Sequence, residues 1–280
     1  MGNFAKKMKK KYEETNKKSI AVYLVLRVLV VISMIFQILM GNFENVFMCI
    51  LALLLFTIPT IISEKFKIGL PSLLEAIIYL FIFSTTILGE INNFYGIIPF
   101  WDTILHTLNG FLCAGIGFAL VDLLNQNSKQ IHLSPLYVAI VAFCFSMTIG
   151  ILWEFYEFTA DGVLRTDMQK DRIVQSISSV ELNPDRENIP IKVNNIEKTE
   201  IYSKDGTITT IENGYLDIGI IDTMKDLFVN FIGAVVFSVI GFLYIKNREK
   251  YKFAKNFIPI KSTNAADAVI YISLFIFFMH

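Results

Sequence analysis

The stretch WDTILHTLNGFLCAGIGFALVDLL, residues 101–124, decides the fold of this chain. It is long enough for an α-helix to cross the hydrocarbon core of a bilayer, which takes about 20 apolar residues because each residue adds about 1.5 Å. Five further apolar stretches have comparable lengths. They lie near residues 19–41, 45–63, 68–89, 135–160 and 220–245.

The composition agrees with a membrane protein. Of the 280 residues, 54% are hydrophobic and 18% are charged, and the mean hydropathy of +0.54 excludes a water-soluble globular domain. Basic and acidic residues both number 25, so the chain lacks the overall basic excess that would indicate a nucleic-acid partner. We therefore expect an all-α integral membrane protein, a six-helix polytopic bundle whose partner is the lipid bilayer.

The positions of lysine and arginine predict the orientation, since short cytoplasmic loops are enriched in them. With the N-terminus inside, sixteen of the 25 basic residues fall on the cytoplasmic side, and the short outer connections 41–44 and 90–100 contain none. We expect a bacterial inner-membrane protein with both termini cytoplasmic. Residues 1–18 form a basic tail, and residues 246–280 form a basic segment with an apolar stretch, Ala268 to Met279. The length of this stretch favours an interfacial or re-entrant segment, with a seventh crossing as the alternative.

A polar insert at residues 161–219 separates the first five helices, within 19–160, from the sixth at 220–245. Between Ile191 and Ile211, apolar and polar residues alternate around Asp205-Gly206, a pattern typical of a β-hairpin. We expect a small extracytoplasmic β-hairpin. The alternative is an irregular loop, because a single hairpin is marginally stable unless it packs against something.

Ionisable side chains lie at one end of three predicted helices. Each costs on the order of 2.5–3.5 kcal/mol at a helix centre in a bilayer. These side chains lie at the start of the fourth helix, at the end of the fifth and at the start of the sixth. The topology therefore brings all three polar helix ends to the outer membrane face. The six residues are Asp102, His106, Glu154, Glu157, Asp222 and Asp226.

Carboxylates with one imidazole suit a divalent cation such as Zn²⁺, Mn²⁺ or Mg²⁺, and a cation offsets the repulsion among the carboxylates. We therefore expect these six residues to be metal ligands, with Glu157 and Asp226 also acting as catalytic acid or base groups. Asn109 and Asn230 would orient the ligands. Such a metal could polarise a phosphoryl or carbonyl oxygen and activate water, which suits hydrolysis or transfer on a lipid-linked or envelope substrate.

Other interpretations remain open. Asp102 and Asp222 could simply cap helix N-termini, and His106 could make a packing hydrogen bond. The cluster as a whole could lock three helices together in a non-catalytic resistance or immunity scaffold. It could also bind protons or ions in a transporter, which would require polar residues that continue across the bilayer.

Two further patterns concern helix packing. Arg27 and Glu75 lie at matching depths in the first and third helices, which predicts an intramembrane ion pair, with snorkelling of Arg27 as the alternative. Small residues, among them Gly110 and Gly233, predict close contact between the fourth and sixth helices.

The motifs of residues 68–245 resemble the YjdF-like bacterial inner-membrane proteins. The resemblance rests on Asp102-x3-His106-x3-Gly110, Trp153-Glu154-Phe155-Tyr156-Glu157 and Asp222-x3-Asp226 followed by Gly233-Ala234. More distantly, the same spacings are similar to the VanZ-like proteins associated with glycopeptide resistance. The resemblance implies a fold and a residue set, but no reaction. YjdF-like chains tend to carry a short Gln-Gly-Asp connection, whereas this insert is longer and ends in Asp217-Ile218-Gly219.

Overall fold

The computed structural model describes residues 2–59, 61, 68–127, 133–185 and 187–261. The chain divides into two compact units, Met1–Trp153 with Leu227–His280, and Glu154–Asp226. In chain order the helices are α1 (Gly2–Met40), α2 (Phe43–Leu55), α3 (Ser72–Phe83), α4 (Phe94–Ile97), α5 (Trp101–Asn127), α6 (Pro135–Leu164) and α7 (Ile220–Lys246), and α3 continues as a π-helical segment, Ser84–Ile91.

Within the part of the chain that the structure describes, five helical segments are long and apolar enough to cross a membrane. They are Ser19–Met40, Ser72–Ile91, Trp101–Asp122, Pro135–Leu164 and Ile220–Lys246. Large apolar side chains on these helices are solvent-exposed, for example Leu39 at 77%, as expected for surfaces that face lipid. The predicted class, a helical polytopic membrane protein, is confirmed.

The second predicted helix is shorter than the expected 45–63. Helix α2 has 13 residues and is followed by a turn at residues 56–57, after which residues 58–59 and 61 are again helical. Pro59 has no N–H with which to continue the hydrogen-bond ladder to Leu55, which explains the break. Residues 60 and 62–67 lie outside the described residues, as does the apolar stretch from Ala268 to Met279.

In the first unit, α1 packs against α2 and α3. Val30 and Phe81 are fully buried between these helices. The rings of Tyr23, Phe56 and Tyr79 form a cluster with centroid separations of 5.1 to 6.3 Å. These aromatic contacts fix α1 against its neighbours.

A second core in the same unit joins α5, α6 and α7. Its fully buried members include Phe118, Val138 and Phe237. The ring of Phe118 lies 5.9 Å from that of Phe237. Near this core, the short strand β1 (Ile68–Gly69) pairs antiparallel with β8 (Ile260–Lys261).

The second unit contains three antiparallel strand pairs. Strands β5 (Lys198–Tyr202) and β6 (Ile208–Glu212) form the predicted hairpin, with Tyr202 opposite Ile208. Asp205 accepts a hydrogen bond from the N–H of Thr207 at 2.9 Å within the turn. The other pairs are β2 (Ile173–Val174) with β7 (Tyr215–Leu216), and β3 (Ser176–Ser179) with β4 (Ile191–Asn194).

Candidate functional site

Asp102 and His106 form a contact at the start of α5. Because the residues are one helical turn apart, their side chains share a face, and Oδ1 of Asp102 lies 3.3 Å from Nε2 of His106. His106 is buried and Asp102 is half-buried. The first turn of a helix stabilises a carboxylate there, since the positive end of the helix dipole faces it. The i, i+4 spacing therefore brings the two side chains together on one face of α5.

Two turns along α5 from Asp102, Gly110 meets α7. A Cβ atom added to Gly110 would lie 2.1 Å from the backbone oxygen of Asn230, and one added to Gly233 would lie 2.0 Å from the backbone oxygen of Thr107. Only glycine allows backbones to approach so closely. The predicted close contact between these two helices is confirmed.

Asn230 is 1% exposed and lies where α5, α6 and α7 meet within the first unit. Its Nδ2 lies 3.6 Å from Sδ of Met147. Its Oδ1 has no hydrogen-bond partner among the described residues. A buried amide oxygen of this kind can orient a polar group beside it.

In the second unit, the last turns of α6 and the first turns of α7 carry four buried carboxylates. Glu154 and Glu157 are three positions apart on α6, and Asp222 and Asp226 are four positions apart on α7. The exposed fraction of each is 8% or less. Nζ of Lys225 lies 3.7 Å from Oδ1 of Asp226.

Asp222 holds the loop that follows α6. Its Oδ2 accepts a hydrogen bond from the N–H of Lys170 at 3.0 Å, and its Oδ1 lies 3.2 Å from Nη2 of Arg172. Beside it, Nε2 of Gln169 donates to Oγ1 of Thr223 at 2.5 Å. Both carboxylate oxygens of Asp222 therefore have partners on one short loop.

Asp217, three residues before the start of α7, binds the same loop. It accepts hydrogen bonds from the N–H groups of Arg172, Ile221 and Gly219 at 2.6, 3.0 and 3.4 Å. Desolvation raises the pKa of Asp217, but these backbone hydrogen bonds together outweigh it and hold the pKa below its ordinary value. Asp217 thus fixes the entry into α7.

Asp161 makes a third anchor, at the end of α6. It accepts hydrogen bonds from Oγ1 of Thr166 at 2.7 Å and from the N–H groups of Met168 and Gln169 at 2.7 and 2.9 Å. Sequence reasoning gave no structural role to Arg172, Lys170 or Asp161. No local spacing signals these contacts, because the loop conformation creates them.

The predicted ion pair between Arg27 and Glu75 is not formed. Glu75 instead accepts hydrogen bonds from Oγ of Ser19 at 2.5 Å and from the hydroxyl of Tyr79 at 3.3 Å. Arg27 donates to the hydroxyl of Tyr23 and lies over its ring. Arg27 and Glu75 match in depth, but each forms hydrogen bonds with neutral hydroxyl groups close to it instead of with the other.

A different ion pair, which sequence reasoning missed, joins α5 to the segment after α7. Nη2 of Arg248 lies 2.7 Å from Oδ1 of Asp122, which is 2% exposed. The guanidinium also lies 4.9 Å from the ring centroid of Tyr244. This pair provides a buried charged contact at the end of α5 remote from His106.

Comparison with known proteins gives a family but no activity. The family model described as "Predicted membrane protein (DUF2238)" matches residues 21–247. An "Uncharacterized protein" of Thermotoga maritima is 35% identical over 83 residues, which make up 30% of this chain and 41% of that protein. The chain thus spans less than half the length of this relative. No solved structure matches the chain. Because the family model covers most of the sequence, the chain belongs to the DUF2238 family of membrane proteins.

Proposed function

We propose that this chain is a YjdF-like inner-membrane protein with a divalent-metal site that hydrolyses or transfers a group on a lipid-linked or envelope substrate. The site lies at the membrane face where α5 and α7 begin, which the basic residues assign to the outside. The burial of ionisable side chains on helices of membrane-spanning length is the observation that carries the proposal. Such burial is costly in a bilayer and is typical of functional sites.

Helix continuity supports a shared ligand set. Asp226 precedes Asn230 by one turn on α7, and His106 precedes Gly110 by one turn on α5. Since the backbone of Asn230 touches Gly110, we assign Asp226 to the ion that Asp102 and His106 bind. Glu154 and Glu157 complete the acidic set in this assignment.

The residues divide into ligands, an acid or base, and positioning groups. Asp102, His106, Glu154 and Asp226 are the ligands, and an imidazole with carboxylates accepts Zn²⁺, Mn²⁺ or Mg²⁺. Glu157 is the acid or base that moves the proton of the attacking water. We assign Asp222 a positioning role in place of direct ligation, because its two oxygens already hold the loop of Lys170 and Arg172.

The depth of the site suits a lipid head group. His106 lies five residues into the helix that starts at Trp101, which corresponds to about 7.5 Å along the helix axis. A metal at that depth could polarise a phosphoryl or carbonyl oxygen close to the membrane surface. The relation to VanZ-like proteins rests on motif spacing alone.

A transporter is less well supported. After Asn230, the next buried positions of α7 are Gly233, Ala234 and Phe237, which carry no polar side chain, and Ser238 follows as a single hydroxyl. An ion path would require polar side chains that continue from one face to the other. The polar side chains of the described part of α7 are concentrated at its first turns, which favours a site that opens to one face.

Turnover in vesicles tests this proposal. Wild-type protein is reconstituted with a lipid-linked precursor fraction extracted from bacterial membranes, with Mn²⁺ or with a chelator, and products are analysed by mass spectrometry. We expect metal-dependent product from the wild type and a loss of at least about 100-fold in Glu157→Gln, as is usual when an acid or base group is removed. Glu212→Gln, at an exposed position of β6, is the control and should react normally.

Product formation that persists in the chelator, or in Glu157→Gln, contradicts the proposal. Counterflow of a cation in the same vesicles without any chemical product favours the transporter instead. An unfolding temperature that falls sharply in Glu157→Gln, with no turnover by the wild type, favours the scaffold.

A further inference from the structure

An apolar groove runs between α6 and α7 within the first unit. It has a volume of about 400 Å³, and its lining includes Leu136, Ile140, Phe143, Phe231, Ser238 and Phe242. Leu136 and Ile140 are 59% and 50% exposed, so the groove is open along one side. Both helices have membrane-spanning length, and the open side therefore faces hydrocarbon.

The length of the groove matches a single hydrocarbon chain. Its lining on α7 extends over 12 residues, from Phe231 to Phe242, whose ends are about 16 Å apart along the helix. Half of a hydrocarbon core about 30 Å thick is about 15 Å. The rings of Phe143 and Phe231, with centroids 5.5 Å apart, stand at the end nearer the middle of the membrane. The groove thus spans one leaflet.

The other end of the groove favours an anion. Phe242 lies near the end of α7, which terminates at Lys246, so this end of the groove opens beside a basic residue. Lys246 follows Phe242 by one turn and is exposed, with its Nζ 5.9 Å from that ring. Lys250, also exposed, comes one turn later in the chain. Exposed lysine side chains therefore provide the positive charge at this end.

We propose that the groove binds one acyl chain of an anionic phospholipid whose phosphate lies at Lys246. The apolar lining, the length of one leaflet and the positive end together fit this ligand. Lys246 would contribute little to the binding of a second copy of the chain or of a zwitterionic lipid, because neither brings a net negative charge to it. The proposal is independent of the metal site, which belongs to the opposite end of α7.

Ser238 provides the variant that fills the groove. Its side chain is buried in the lining, and its Oγ has no hydrogen-bond partner among the described residues. Phenylalanine at this position would occupy the space of the acyl chain without removing an existing hydrogen bond. Val236, which is 47% exposed on α7 and is not part of the lining, offers the matched control Val236→Phe.

Lipid binding to the full-length protein in mild detergent tests the proposal by native mass spectrometry. The probes are dioleoylphosphatidylglycerol and dioleoylphosphatidylcholine. We expect the wild type to retain one phosphatidylglycerol with about fivefold preference, and Lys246→Gln to lose that preference, since one lysine contributes about a fivefold gain for an anionic lipid. Ser238→Phe should bind both lipids at least tenfold more weakly than Val236→Phe.

The phosphate at Lys246 and the acyl chain in the groove are tested separately. Retained preference for phosphatidylglycerol in Lys246→Gln overturns the assignment of the phosphate. Unchanged lipid binding by Ser238→Phe overturns the assignment of the groove. If Ser238→Phe fails to fold, Ile140→Trp fills the groove from α6, where the side chain is half exposed, and the same criterion applies.

Discussion

The backbone oxygen of Asn230 lies so close to Gly110 that an added Cβ atom would be only 2.1 Å away. This contact sets the spacing of α5 and α7 directly beneath the Asp102–His106 pair. We therefore expect Gly110→Ala to force the two helices apart and to destabilise the fold by about 1–3 kcal/mol, as overpacking of a tight contact does. Thermal unfolding of the purified protein measures the effect.

Gly162→Ala is the matched control for that substitution. Gly162 lies in α6, and an added Cβ atom would meet no atom within 4 Å. Replacement of a helical glycine by alanine should leave stability unchanged or raise it by up to about 1 kcal/mol. Equal unfolding temperatures for the two variants would show that the contact between Gly110 and Asn230 does not limit the spacing of the helices.

The pair of Asp122 and Arg248 should contribute measurably to stability. Arg248→Met would leave the buried carboxylate of Asp122 without its cation, and since the side chain of Arg248 is 36% exposed we expect a loss of about 2–3 kcal/mol, below the range for fully buried pairs. A double-mutant cycle with Asp122→Asn should give a coupling energy of at least about 1 kcal/mol.

An exposed pair in the same segment provides the comparison. The side chains of Lys252 and Glu249 are 62% and 77% exposed, so Lys252→Gln should leave the unfolding temperature nearly unchanged. Purely additive effects of Arg248→Met and Asp122→Asn would contradict the role of the buried pair.

Asp217 should make stability depend on pH at acid values. Its pKa in the folded protein is held below the ordinary value of 3.8, because backbone hydrogen bonds outweigh desolvation. The stabilisation is therefore complete above about pH 3.8 and is lost as the pH falls through the lower folded pKa. Asp217→Asn should lower stability by about 0.5–1 kcal/mol at pH 7, because an amide has only one acceptor oxygen and is a weaker acceptor than a carboxylate for the three N–H groups, and this difference should shrink in acid.

Asp171 should behave in the opposite way. Its pKa is raised by desolvation and then by the carboxylates of Asp167, Asp217 and Asp161. Stability therefore falls as the pH rises from about 3.8 through the raised pKa, and Asp171→Asn should raise the unfolding temperature at pH 7. Unfolding temperatures of Asp217→Asn and Asp171→Asn, measured between pH 3 and 7, give the sign of each change in stability. Changes of the same sign for the two variants at pH 7 would refute the electrostatic explanation.

The sequence predicts the helices well and the partners of charged side chains poorly. The length of apolar runs predicts α1, α3, α5, α6 and α7, and Asp205-Gly206 predicts the hairpin, because both are local signals. The early end of α2 also had a local signal, Pro59, which apolar length alone overlooks.

Contacts between distant residues explain what sequence reasoning missed. The i, i+4 spacing predicts the pair of Asp102 and His106 because one helix holds both residues. In contrast, Arg172 reaches Asp222 across 50 residues through a loop whose conformation no motif specifies. The wrong pairing of Arg27 with Glu75 has a related cause, since matching depth says nothing about the direction in which each side chain points around its helix.

The metal content of purified protein tests the central proposal most directly. Wild-type protein, His106→Ala and Asp226→Asn are loaded with Zn²⁺ or Mn²⁺, desalted and assayed by inductively coupled plasma mass spectrometry, with Glu212→Gln as the control. We predict one ion per chain in the wild type and the control, and less than about a tenth of that in the two site variants, each still folded by circular dichroism. Equal metal in all four proteins, or none in the wild type, would contradict a metal site formed by Asp102, His106 and Asp226.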